Sequence, residues 1–254
     1  MVDLAPPVLT SVTAALWTAL DGLGSVVFPS SCLVCRSALA HPLRGPLCRD
    51  CHLRLPRIAP PYCPRCGLPY ESGVAPGLCG PCRRFPRHFR RARAQSPYAD
   101  AVRLCLHALK FRGRRRLASL LGREAARRWV LSGDLLGAAA VVPVPLSRKR
   151  RRERGYNQAA LIARAVARES GIPIRVRILE KIRERPPQAG LSREARRKNV
   201  VGVYRANLPA SLRGEALLLV DDVLTTGATA DSAACALLAA GAGAVDVLTL
   251  ARVV

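Results

Sequence analysis

Rings are scarce in this chain. Aromatic residues make up 4% of its 254 positions, which excludes a core held together by ring packing. Half the residues are apolar, so the core must rest on Leu, Val and Ala, in one large domain or two smaller ones. Lysine is scarce as well. Lys110, Lys149, Lys181 and Lys198 are the four among 41 basic residues, and part of the arginine excess is put down to a GC-rich coding sequence. Acidic residues number 17, which leaves a net charge of +24. Such a charge suits polyanions, whether nucleic acid, a phosphorylated small molecule or an anionic membrane face. It equally describes a solvated basic surface. The one long apolar stretch, residues 8–28, contains Trp17, Asp21 and two glycines before Pro29 ends it. It is too polar for a membrane-spanning helix. With no basic stretch ahead of it, it makes a poor secretory signal. The expectation is an amphipathic helix in an N-terminal segment 1–30, and a cytoplasmic protein.

Cysteine is the exception to this scarcity. Ten are present, and eight form a repeat. Cys32 and Cys35 are followed by Cys48 and Cys51; Cys63 and Cys66 are followed by Cys79 and Cys82. The second unit copies the first at an offset of 31 residues. Pairs of this spacing place two thiolates on one metal, and a second pair closes a tetrahedron. Segments this short bury too little apolar surface to fold alone, so zinc would supply folding energy. Disulfides need an oxidising compartment, for which no export signal speaks; an iron–sulfur cluster is the other competitor. Two sequential zinc ribbons within residues 31–85 are the choice, although a cross-braced pairing uses the same residues. Cys105 and Cys235 fall in helical patterns and read as buried core thiols.

The stretch from Leu217 to Thr229 carries the most chemistry. Leu217 to Val220 read as a buried parallel strand. Asp221 and Asp222 follow at its carboxyl end, then a turn of Thr225, Thr226 and Gly227, then an Ala-rich helix from about Ala228. In an open α/β sheet, ligands bind beyond the carboxyl ends of the strands. A helix N-terminus behind a small-residue loop suits a phosphate. The carboxylates suit hydroxyls or a divalent cation. A phosphate at one end and a diol at the other describe a ribose 5-phosphate.

This segment resembles the motif by which type I phosphoribosyltransferases bind 5-phosphoribosyl 1-pyrophosphate (PRPP). The resemblance implies that Asp221 and Asp222 hold the ribose hydroxyls. It implies that Thr225, Thr226, Gly227, Ala228 and Thr229 wrap the 5′-phosphate, with Mg²⁺ accompanying PRPP. The rest of the chain alternates strands and helices. Helices are expected over 98–111, 116–131 and 158–170, and strands over 139–145, 174–178, 217–222 and 245–250. That alternation indicates a parallel sheet covered on both faces, here a phosphoribosyltransferase-like domain over 95–254. Residues 83–98 read as a basic loop that contains the domain boundary.

The chain as a whole is similar to the ComF/ComFC (GntX-type) family. The likeness is carried by the cysteine pairs, Leu109 to Gly113, Val142 to Pro145, Arg154 to Gln158, Pro187 to Leu191, Arg197 to Val200 and the stretch 217–229. It implies an α/β phosphoribosyltransferase-like domain behind a small zinc-ribbon domain. It further implies that the loop after Pro145 faces the pyrophosphate, with Lys149 as a contact. Arg148, Arg150, Arg151, Arg152, Arg154 and Tyr156 are candidates for nucleic acid or a solvated face. Gln188, Arg196 and Lys198 fall in a segment that such enzymes use as a loop over the site. Tyr62, Tyr70, Phe85, Phe89, Tyr98 and Phe111 are also scattered among basic residues and offer rings for bases. The family implies a competence factor that handles transforming single-stranded DNA beside a helicase partner. An active phosphoribosyltransferase with a nitrogen acceptor is the alternative, and a redox or iron–sulfur role is a third.

Overall fold

The computed structural model describes residues 31–40, 45–70, 77–135, 137–183 and 202–254. The N-terminal segment 1–30, and Gln188, Arg196 and Lys198, lie outside them. Contacts divide the chain into two compact units, with the division between Leu55 and Pro56.

The first unit contains the first cysteine set. A tight turn returns the chain so that Cys32 N–H donates to Ser37 at 2.8 Å. Cys48 then caps the short helix α1 (Arg49–Leu53), its sulfur accepting from the Cys51 N–H. The second set repeats this in the second unit, with Cys63 N–H donating to Leu68 at 2.8 Å and helix α2 (Gly80–Arg84) behind Cys79. The offset of 31 extends to the bridges Ser31–Ala38 and Tyr62–Pro69. It also extends to the left-handed residues Arg36 and Gly67, at φ of 65° and 66°.

The second ribbon shares a compact unit with the sheet. Residues 83–98 are not all loop. Strand β1 spans Arg91–Pro97. Its arginines disguise it, because each finds a carboxylate that is distant in sequence. Arg93 is 5% exposed. It meets Asp134 at 2.5 and 3.1 Å and lies over the ring of Tyr62 at 4.9 Å. Arg91 reaches the buried Asp246 at 3.2 Å.

Helices α3 (Asp100–Phe111) and α4 (Arg116–Trp129) lead to strand β2 (Ala140–Pro143). Residues 148–154, expected as loop, form helix α5 (Arg148–Arg154). Ser147 caps its start and Gly155, in the left-handed region, ends it. Helix α6 (Gln158–Ser170) follows. The strand expected over 174–178 shrinks to one bridge, Ile174 to Val141. Strands β3 (Leu179–Lys181) and β4 (Tyr204–Ala206) form a separate antiparallel ribbon. Strand β5 (Ala216–Leu224), helix α7 (Ala228–Ala239) and strand β6 (Ala244–Arg252) complete the fold.

The four main strands run parallel in the order β1-β6-β5-β2. Leu217 to Val220 of β5 have no exposed surface, each contributing roughly 2 kcal/mol relative to exposure. Parallel crossovers are right-handed. The path from β1 to β2 runs one way along the sheet, and the path from β5 to β6 runs the other way. The two connections therefore cover opposite faces. α6, which leads from β2 outward to Ile174, joins α4 on the first face, and α7 covers the second.

A Cβ on Gly67 would stand 2.7 Å from the Ala92 carbonyl oxygen. Ala92 also donates its N–H to Arg65 at 2.7 Å, so the ribbon turn lies directly on β1. Gly67→Ala is expected to cost about 3 kcal/mol, from the left-handed backbone and the clash together. Urea unfolding of the zinc-loaded protein measures this; an unchanged midpoint would show that the ribbon does not dock there.

Candidate functional site

Each cysteine set gathers its four sulfurs within 4.8 Å of one another. The pairing is sequential, not cross-braced: Cys32, Cys35, Cys48 and Cys51 form one group, and Cys63, Cys66, Cys79 and Cys82 form the other. The Sγ atoms of Cys35 and Cys48 are 3.7 Å apart, those of Cys66 and Cys79 3.6 Å. A tetrahedron with Zn–S of about 2.3 Å has edges of about 3.8 Å, so the donor sets fit zinc. Cys48 N–H donates to the Cys32 sulfur, and Cys79 N–H to the Cys63 sulfur, both at 3.4 Å. Burial opposes the Cys63 thiolate, but N–H donors of Cys66, Cys79 and Arg65 outweigh it and lower its pKa to about 6. Of the two remaining cysteines, Cys105 is buried and Cys235 is half-buried.

The sheet has a second centre at its carboxyl edge. Crossover direction reverses between β2 and β5, and a reversal of this kind leaves a crevice outside the strand ends. β5 runs two residues further than expected, through both carboxylates to Leu224. Period-two alternation turns Asp221 and Asp222 to opposite faces. Asp222 is 5% exposed and meets Lys110 Nζ, from the end of α3, at 2.8 Å. Asp221 is half-buried. Burial, then the neighbouring Asp222 charge, push its pKa up to about 8. Asp221 also accepts the Asp222 backbone N–H at 2.8 Å.

Beyond Leu224, Thr225 and Thr226 are exposed. Gly227 takes a φ of 78° and starts α7, whose first turn presents N–H groups without intrahelical partners. Asp231 in that turn accepts from the His88 N–H at 2.7 Å, and Arg87 donates to the Thr226 carbonyl at 3.0 Å. The linker before β1 thus holds the loop in place.

Segments noted in the sequence converge on the same edge. Tyr156 donates its hydroxyl to the Leu109 carbonyl, and Arg115 lies over the Tyr156 ring at 4.5 Å. Arg154 covers Phe111 at 5.1 Å, and Asn157 donates to the Val144 carbonyl at 3.0 Å. Tyr156 and Arg154 are therefore partly engaged within the protein. Arg148, Lys149, Arg150, Arg151 and Arg152 are exposed on α5. Of the scattered rings, Phe89 is buried and Phe111 is 65% exposed.

A cavity of about 620 Å³ borders the loop on its β6 side, between Thr225–Ala228 and the second ribbon. Asp221, Asp222 and Lys149 are not among its lining residues. Lys110, Arg87 and Arg252 were not singled out as site residues from the sequence. For Lys110, the signal was available in the matched segment Leu109 to Gly113.

A family model described as the double zinc ribbon domain matches residues 23–83. The DNA utilization protein YhgH of Salmonella typhimurium is 33% identical over 227 residues, covering 88% of this chain and 97% of that protein. Competence protein F of Haemophilus influenzae is 30% identical over 233 residues, covering 89% and 98%. The chain belongs to the ComF family. A solved structure, the Bacillus subtilis glutamine PRPP amidotransferase complexed with ADP and GMP, shares 23% identity over 52% of this chain and 25% of that one, at a TM-score of 0.36. The family assignment rests on the two relatives. This ComF-family chain thus combines two four-cysteine zinc-ribbon sites with a parallel α/β domain. Among its described residues no helix is long and apolar enough to cross a membrane.

Two outcomes follow from this geometry. Cys63→Ser with Cys66→Ser is expected to release one of two zinc ions, counted with a chromophoric chelator; retention of both would show that Cys63 and Cys66 do not hold zinc. Lys110→Met leaves the buried Asp222 without its partner. The loss is expected to be about 2 kcal/mol, below the usual cost of orphaning a buried charge because Lys110 keeps some solvent access. Adding Asp222→Asn should recover part of it, and strictly additive losses in the cycle would argue against the pair.

Proposed function

We propose that this chain binds Mg²⁺-PRPP at the crevice between β2 and β5, and single-stranded DNA on the basic surface beside it. In this reading it is a cytoplasmic DNA-handling protein of the competence type. One observation carries the reading. β5 delivers two carboxylates and a helix N-terminus to the same sheet edge at which α5, following β2, exposes Arg148 to Arg152. Asp221 and Asp222 would hold the ribose hydroxyls, and the turn from Thr225 to Thr229 the 5′-phosphate. Lys149 would meet the pyrophosphate as a point charge. Arg148, Arg150, Arg151 and Arg152 would meet DNA phosphates, which gives affinity without base readout. The names of the relatives, DNA utilization and competence, support the DNA half.

Calorimetric titration with Mg²⁺-PRPP, alone and with an oligonucleotide present, tests both halves. Asp222→Asn is expected to weaken PRPP at least tenfold while the protein still melts cooperatively. Unchanged affinity would remove the crevice as the site. Oligonucleotide affinity should fall steeply with salt, and less steeply when Arg150, Arg151 and Arg152 are replaced by Ala.

A further inference from the structure

The phosphate loop has a second side. The crevice with the acidic pair lies toward β2, whereas the 620 Å³ cavity lies toward β6 and is walled by the second zinc ribbon. Its volume is within the range of small-molecule sites. Leu68, Pro81 and Phe85 give it an apolar wall, and Arg84, Arg87 and Arg252 give it positive charge, with Asp231, which accepts from the His88 N–H, the one carboxylate in its lining.

Arg252 is the informative residue. It is 6% exposed. Its Nε donates to the Val253 carbonyl and its Nη1 to the Cys66 carbonyl, and it pairs with no carboxylate among the described residues. The other buried arginine, Arg93, has Asp134. Arg87 gives one N–H to Thr226, and its Nε is buried without a partner. A guanidinium out of water is costly unless an anion meets it. Arg252 is such a group, and with the half-exposed Arg87 it flanks the turn from Thr225 to Gly227 in the lining of the same cavity.

We propose that this cavity is a site for a nucleoside 5′-monophosphate. The phosphate sits among Arg87, Arg252 and the turn from Thr225 to Gly227, in the forked geometry that guanidinium favours. The base lies along Leu68 and Phe85. The second ribbon is then a wall of a ligand site, and its zinc holds that wall in shape. The proposal rests on reading Thr225 to Gly227 as a phosphate loop, but it needs neither the acidic pair nor PRPP.

The probe is dAMP, which has no vicinal diol for Asp221 and Asp222. The zinc-loaded full chain, titrated by calorimetry, is expected to bind it. Arg87→Ala, at a half-exposed position, should weaken binding at least tenfold. Arg252→Gln should do the same with both zinc ions retained, and Arg252→Lys should recover part of the loss. Asp222→Asn should leave dAMP affinity within twofold of wild type. No binding at millimolar dAMP, or unchanged affinity in Arg87→Ala, overturns the proposal. So does inorganic phosphate that binds as tightly as dAMP, or a loss of dAMP in Asp222→Asn as large as the loss of PRPP. If dAMP binds as described and PRPP does not, the crevice reading falls and this site stands.

Discussion

A largely buried strand that carries two adjacent carboxylates near its carboxyl end has to satisfy them, and the arrangement of the sheet edge follows from how it does so. Lys110 reaches Asp222 from the last turn of α3. That contact places the end of α3 over the carboxyl end of β5. Phe111 and the Leu109 carbonyl are then within reach of Arg154 and Tyr156, and these lead into α6. One ion pair thus ties the connection after β1 to the connection after β2. Asp221, on the opposite face, is half-buried and accepts the Asp222 backbone N–H at 2.8 Å instead. Two adjacent acids of identical chemistry thus end with different partners because strand alternation gives them different neighbours.

Arginine in this molecule has three separate roles. Arg90, Arg91 and Arg93 neutralise buried Asp246 and Asp134 and hold the first strand and the loop before β2. Arg148 to Arg152 stand in solvent on α5 and supply field, not structure. Arg87 and Arg252 lie in between: Arg252 is buried, Arg87 is half-exposed, and neither pairs with a carboxylate among the described residues. The net charge of +24 is therefore not one surface property. Its functional part is the fraction left over once internal ion pairs have been formed.

The two zinc ribbons are close copies in backbone, down to the left-handed residue of each turn, yet their surroundings differ. Arg36 can occupy that conformation at a strain of roughly 1–2 kcal/mol. Gly67 has no alternative, because β1 lies against it. Both copies keep the metal-binding turn, and the second in addition lies against strand β1 of its own unit.

The cysteine repeat was legible in the sequence because its ligands lie within a few residues of one another, and so was the order of strand, turn and helix over 217–229. Helix α6 was legible through its helical periodicity, with one face buried, and strand β5 through its continuous apolar run. Strand β1 was not, because its arginines look solvated until Asp134 and Asp246 arrive from elsewhere in the chain. Nor was helix α5, whose run of like charge argues against helix until Ser147 and Gly155 cap it. The choice between sequential and cross-braced cysteines needed the distances between sulfurs. By itself the sequence determined which groups can bind metal, phosphate and hydroxyl. Tertiary structure alone decided which carboxylate finds a lysine, which arginines stay unpaired, and which ribbon walls a cavity, because each depends on residues that only the crossing of distant strands brings together.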